Sequence, residues 1–109
     1  MEFKIARGNA VGDLTEEMTL FGQEGFHAYG NVIPSVNTKR VFWGMVKSGG
    51  LIEGSKKKCV PEYYYVREDS ILGMEKSVNA VMEEGFHLVG EMFEWSNYFH
   101  CVLERYGKK

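Results

Sequence analysis

Apolar and charged residues alternate along Phe3-Lys4-Ile5-Ala6-Arg7, the period of two that marks a short strand. The period then changes. Leu14, Met18 and Phe21 recur at i, i+4 and i+7 and predict one apolar helix face. Gly8, Asn9 and Gly12 form the turn into that helix, and Asp13 with Glu16 three residues on has the spacing of a capping box. Gly25 predicts the helix stop: glycine takes the left-handed conformation without a Cβ clash, and Phe26 can fold back over the last turn. A strand is expected from His27 to Ile33, a turn over Pro34-Ser35-Val36-Asn37, and a return strand from Lys39 to Lys47.

The pattern then repeats. Tyr63-Tyr64-Tyr65-Val66-Arg67 predicts a strand, Asp69 or Ser70 a helix cap, and Ile71, Met74, Val78 and Val81 an apolar helix face. Gly85 predicts the stop, and Leu88 to Trp95 with Tyr98 to Arg105 a hairpin turning at Ser96-Asn97. Glu24-Gly25-Phe26-His27 returns as Glu84-Gly85-Phe86-His87, an offset of 60 that also relates Phe3 to Tyr63, Arg7 to Arg67, Leu14 to Met74 and Gly30 to Gly90. Matching Phe99 to Phe42 gives an offset of 57, so the second hairpin loop is expected to be three residues shorter. The predicted fold is α+β: two tandem βαββ modules, with antiparallel hairpins and the helices on one side of the sheet. Residues 1–47 form the first module, 48–60 a Gly/Lys-rich connector and 61–109 the second. The two are expected to share one compact domain through a pseudo-two-fold pairing.

Two segments break the alternation. Val41-Phe42-Trp43-Gly44-Met45-Val46 and Tyr63-Tyr64-Tyr65-Val66 are apolar on both strand faces. A helix covers one face of a sheet; the other then needs the sister module, a second chain or a ligand. This predicts a homo-oligomer, a dimer or higher.

Composition adds exclusions. The 109 residues are 44% hydrophobic and 26% charged, ordinary for a globular chain. A net charge of −2 gives no broad basic field, which disfavours nucleic acid as a partner. The N-terminus lacks an apolar leader and no apolar run is long enough to span a bilayer, so a soluble cytoplasmic protein without a membrane partner is expected. Cys59 and Cys101 are read as reduced thiols.

The string from Val78 to Gly90, VNAVMEEGFHLVG, resembles the helix–glycine–aromatic–strand signature of a small uncharacterised module of bacterial and phage hypothetical proteins. Trp43-Gly44-Met45-Val46-Lys47 is similar to that module's last strand. Phe26 and Phe86 stand where the family usually has Trp, and the Gln-Ala pair of its last strand is absent. The resemblance implies a fold and no activity. It also implies a leaning towards phage accessory proteins that blunt host defences, acting in the host cytoplasm.

No nucleophile–base pair, phosphate loop or metal-ligand spacing emerges, so no catalytic residue, metal or cofactor is assigned. His27 and His87, equivalent in the two copies, are read as structural. A ligand site is assigned instead to Trp43, Lys39, Arg40, Arg67, Tyr64, Trp95 and His100, which offer flat rings and cations for a nucleotide-like signal. Lys39 and Trp43, each two residues from Val41, are expected on one strand face. The alternative is a protein-interaction module that masks a host enzyme.

Overall fold

The computed structural model describes residues 2–47 and 59–108. The elements run β1 (Glu2–Gly8), α1 (Val11–Gln23), β2 (His27–Ser35), β3 (Arg40–Lys47), β4 (Cys59–Glu68), α2 (Ile71–Met82), β5 (His87–Trp95) and β6 (Tyr98–Lys108). Both copies therefore have the order strand, helix, strand, strand. They build two three-stranded antiparallel sheets, β1-β3-β2 and β4-β6-β5, each with its last strand in the middle. The last strand is central because it pairs with both the first strand and its own hairpin partner. The connector expected over 48–60 falls mainly on 48–58, outside the described residues; residues 59 and 60 already belong to β4.

Both glycine stops take the left-handed conformation, Gly25 at φ 101° and Gly85 at φ 96°. Phe26 returns over the helix end, its N–H bonded to the Phe21 carbonyl at 3.1 Å and its ring 6.0 Å from that of Phe21. Ser70 caps α2 by accepting the Gly73 N–H at 3.0 Å. The first helix starts earlier than expected: its N-cap is Ala10, with no side-chain cap, and Gly12 and Asp13 lie inside the first turn. Pro34 lies within β2 and not in the turn, which an edge strand tolerates because it needs no inward N–H there. Ser96 and Asn97 both have positive φ, as a two-residue hairpin of the primed type requires. Phe42 pairs with Arg7 and His100 with Arg67, so His100, not Phe99, is the counterpart of Phe42. The second loop is two residues shorter, not three.

Each helix covers the equivalent face of its own sheet. Leu14 and Met18 of α1 pack on Ala6, Val41, Trp43 and Met45. Met74 of α2 packs on Val66, Cys101 and Leu103, with Phe86 closing the end. The two helices do not share one side of one sheet, because Val102 and Tyr63, on the other face of the second sheet, belong to the core of the first unit. The second sheet thus has α2 on one face and the first unit on the other.

The joint between units is made by α1 and β4. Gly12, Thr15, Thr19 and Gly22 give α1 a strip of small residues at spacings that share a helix face. The free edge of β4 lies along it. Tyr63 N–H donates to Thr19 Oγ1 at 3.0 Å, so the helix satisfies and covers an otherwise bare sheet edge. A Cβ on Gly22 would come within 2.5 Å of the Pro61 carbonyl oxygen, and one on Gly12 within 3.2 Å of the Tyr65 ring. The opposite contact is missing: α2 does not pack along β1, and its positions equivalent to the strip are Leu72, Glu75, Asn79 and Met82. The expected two-fold pairing is therefore corrected. The units are joined head to tail, helix of the first to sheet of the second. With extents of 43 × 34 × 18 Å the molecule is flat, and the sheet and helix at its two ends face solvent.

The strip yields a paired test by urea unfolding. Gly22→Ala overpacks the joint and should lower stability by ~1–3 kcal/mol. The equivalent Met82→Ala in the exposed end helix should change it by no more than ~0.5 kcal/mol.

Candidate functional site

Alternation puts Tyr63, Tyr65, Arg67, His100, Val102, Glu104, His87, Val89, Phe93 and Trp95 on the face of the second sheet that meets the first unit. Much of it is polar, and the polar atoms are mostly paired. The Tyr63 phenol accepts the Ala28 N–H at 2.8 Å and donates to Glu104 Oε2 at 2.6 Å; His87 Nε2 lies 3.0 Å from Glu104 Oε1. Burial, then the Glu104 carboxyl, pushes the Tyr63 pKa far up, so the phenol stays a donor. At the other end, His100 is buried, with its ring stacked 5.5 Å from Phe93. Its Nε2–H donates to the Trp95 carbonyl at 2.9 Å. Burial, with Arg67 nearby, holds its pKa below the ordinary value despite that bond. His100 Nδ1 and Trp43 Nε1 are buried without a hydrogen-bond partner among the described residues.

The equivalent face of the first sheet is reached by the same register. It carries Phe3, Ile5, Arg7, Phe42, Gly44, Val46, His27 and Ile33. No described element covers it. Phe3 is 59% exposed, Ile33 58% and Ile5 46%. These residues, with Arg7, Phe42 and Gly44, line an open apolar depression of about 420 Å³. The Phe3 ring folds over Gly44, where a Cβ would meet it at 2.8 Å. Arg40, exposed at the start of β3, and Arg7 lie together at one end of the face.

At four equivalent positions the two faces differ in character, while Arg7 and His27 match Arg67 and His87. The covered face has Tyr63, Tyr65, His100 and Glu104 where the bare face has Phe3, Ile5, Phe42 and Val46. Burial of polar groups is tolerated only because partners satisfy them. Exposure of the apolar set is unfavourable in a solitary molecule.

The residues assigned from sequence to a ligand site do not converge. Trp43 is 0% exposed: its face of β3 lies under α1, and Gly90 of the second unit closes over the ring. It is a core residue, not a stacking platform. Lys39 is in the turn at φ 57° and outside β3, so it does not share a strand face with Trp43. Arg40 lies on the opposite face of β3 from Trp43, with Phe42. Tyr64 is exposed on the α2 face of the second sheet, 5.9 Å from Phe86. Only Arg67, Trp95 and His100 come together, at one end of the covered face. There Arg67 already lies over the Tyr98 ring at 4.7 Å and His100 is buried. The apolar character of the bare face on β3 was read from sequence, but of its residues only Arg40 entered the assigned site. The face's signal on β1, the apolar Phe3 and Ile5, reads in sequence as an ordinary buried strand.

Cys101 is a free, buried thiol, pushed up by burial to about 11. Among the described residues no cluster of three or more His, Cys, Asp and Glu side chains is placed to hold a metal ion, and no helix is long and apolar enough to cross a membrane.

No protein-family model matches the chain, and neither a curated protein nor a solved structure matches it. The resemblance to the bacterial and phage module therefore rests on the Val78–Gly90 and Trp43–Lys47 strings alone.

Two outcomes test the buried network. Tyr63→Phe leaves the Ala28 amide and a Glu104 oxygen short of a partner and should cost ~1–3 kcal/mol in urea unfolding. His100 has a depressed folded pKa, so its contribution is present above the unfolded value, about 6.5, and is lost as pH falls through and below it. Between about pH 7.5 and pH 5.5 the wild type should lose more stability than His100→Phe.

Proposed function

We propose that this chain is a non-catalytic binding protein whose working surface is the outer face of its first sheet, and that it acts by covering a surface of another polypeptide. One observation carries the reading: of two equivalent sheet faces, the covered one has Tyr63, Tyr65, His100 and Glu104 where the bare one has Phe3, Ile5, Phe42 and Val46, and Phe3, Ile5 and Ile33 are exposed. The depression lined by Phe3, Ile5, Ile33 and Phe42 has Arg7 as its one polar side chain, which suits an apolar surface better than a small molecule that needs several convergent polar groups. Arg7 and Arg40 at its rim favour a partner with carboxylates beside its apolar patch. The nucleotide-like reading has less support, since Trp43 is closed off and Lys39, Arg40, Arg67 and Tyr64 lie on separate surfaces. The masking of a host enzyme by a phage accessory protein is the biological form the sequence resemblance suggests for such a surface.

A photo-crosslinking residue in place of Ile33 tests the proposal in cells expressing the protein. It should give a discrete protein adduct, and the same residue in place of Glu16 on the exposed side of α1 should give none. Absence of any adduct from Ile33 would overturn the reading. Stabilisation of the purified protein by mono-, di- or cyclic nucleotides, lost in Arg40→Ala, would move the role to ligand binding.

A further inference from the structure

The head-to-tail joint leaves one unused half-joint at each end of the molecule. Within the chain, the first unit receives the second sheet on α1, Ala28, Asn31 and Trp43. Thr19 accepts from Tyr63, Ala28 N–H donates to Tyr63, Asn31 Oδ1 accepts the Glu91 N–H at 2.8 Å, and Gly22 and Trp43 are the close approaches to Pro61 and Gly90. The equivalents in the second unit are found through the repeat and the strand register. Thr15, Thr19, Gly22, Ala28 and Trp43 become Glu75, Asn79, Met82, Leu88 and Cys101. All five line a single open groove of about 310 Å³ between α2 and β5. The groove is apolar, and Leu88 and Met92 are 51% and 54% exposed. The other half-joint is the bare sheet face, equivalent to the face that is received.

We propose that the partner is a second copy of this chain: the outer face of the first sheet in one copy seats in the α2–β5 groove of the next, repeating between chains the joint made within the chain. This rests on the reading of that face as a binding surface and names its occupant. Three features favour the fit. Both surfaces are apolar and exposed in the same molecule. Their charges are complementary, with Arg7 and Arg40 on the sheet face and Glu75 lining the groove; Glu91 stands where the internal joint has Asn31. Their shapes also suit each other: Cys101 in place of the Trp43 ring leaves room in the groove, and the incoming face presents the exposed Phe3, Ile5 and Ile33 side chains. Leu72 and Met82 replace Gly12 and Gly22, so the helix cannot approach a β1 edge as closely as α1 approaches β4. The joint between chains is accordingly looser than the internal one and exchanges subunits. A contact between unlike surfaces of identical chains closes into a ring or extends as a filament.

The test uses two full-length variants that each disable one half-joint. Ile33→Glu places a carboxylate in the apolar sheet face; Leu88→Lys places a charge in the groove. By light scattering after size exclusion the wild type should exceed the 12.5 kDa chain mass in a concentration-dependent way, and each variant alone should run as a monomer. An equimolar mixture of the variants should form a species of twice that mass, because an intact groove meets an intact face once and both remaining ends are blocked. If Leu88→Lys assembles like the wild type while Ile33→Glu does not, the sheet faces pair with each other and the head-to-tail proposal is overturned. A wild type that stays monomeric at every soluble concentration also overturns it. In that case a crosslinked adduct at Ile33 with a different protein would leave the broader reading of the face standing, and its absence would remove both.

Discussion

The packing of one helix against one strand edge governs the rest of this structure. The Gly12–Thr15–Thr19–Gly22 strip lets β4 lie against α1, and a hydroxyl on the strip satisfies the β4 backbone. With β4 held there, the second sheet presents Tyr63 and Val102 to the first core, and its edge β5 reaches β2 at Asn31. The opposite arrangement, α2 against β1, would need small residues on α2. Leu72, Glu75, Asn79 and Met82 stand there instead. Geometry and side-chain size thus choose one of two joints and leave the other halves open.

That choice divides the chemistry of the two sheet faces. A face held against a neighbour can use the Tyr63 phenol to accept the Ala28 amide across the joint, while Glu104, itself bonded to His87, holds that phenol from within the second sheet. These bonds add geometric specificity that apolar contact alone lacks, since an amide, a phenol and a carboxylate must all line up. The bare face keeps aliphatic and phenyl groups, suited to a partner that comes and goes. The copies share a fold and differ in what their equivalent faces carry and in whether the fold covers them.

Much of this was legible in the chain. The repeat, the alternation of β1 and the glycine stops are local and carry strong backbone preferences, so the elements and their order derive from them. The Asp13 cap misled because Gly12 looks like a turn residue; it is helical, and its missing side chain is needed by Tyr65. The hairpin offset misled because Phe99 and Phe42 are identical in type, while register is set by backbone pairing with Arg67 and Arg7. Trp43 misled for a different reason. A strand apolar on both faces says that both are covered or used, but not which face the helix takes. That choice depends on contacts far apart in sequence, such as Gly90 over Trp43, which no local pattern encodes.

The make-up of the two cores also bears on the order in which the chain acquires structure during synthesis. The second unit has a core of its own, from Val66 and Met74 to Leu103. The first unit borrows Tyr63 and Val102 from residues translated after it. Domains emerge from the ribosome N-terminal end first. The half of this protein that emerges first thus gains two of its core residues, Tyr63 and Val102, only when the second half follows. Until β4 and β6 arrive, α1 has a bare glycine–threonine strip on one side, and the core beneath it lacks Tyr63 and Val102. The first core is therefore closed by residues made later, and its packing is finished only when the C-terminal strand is in place.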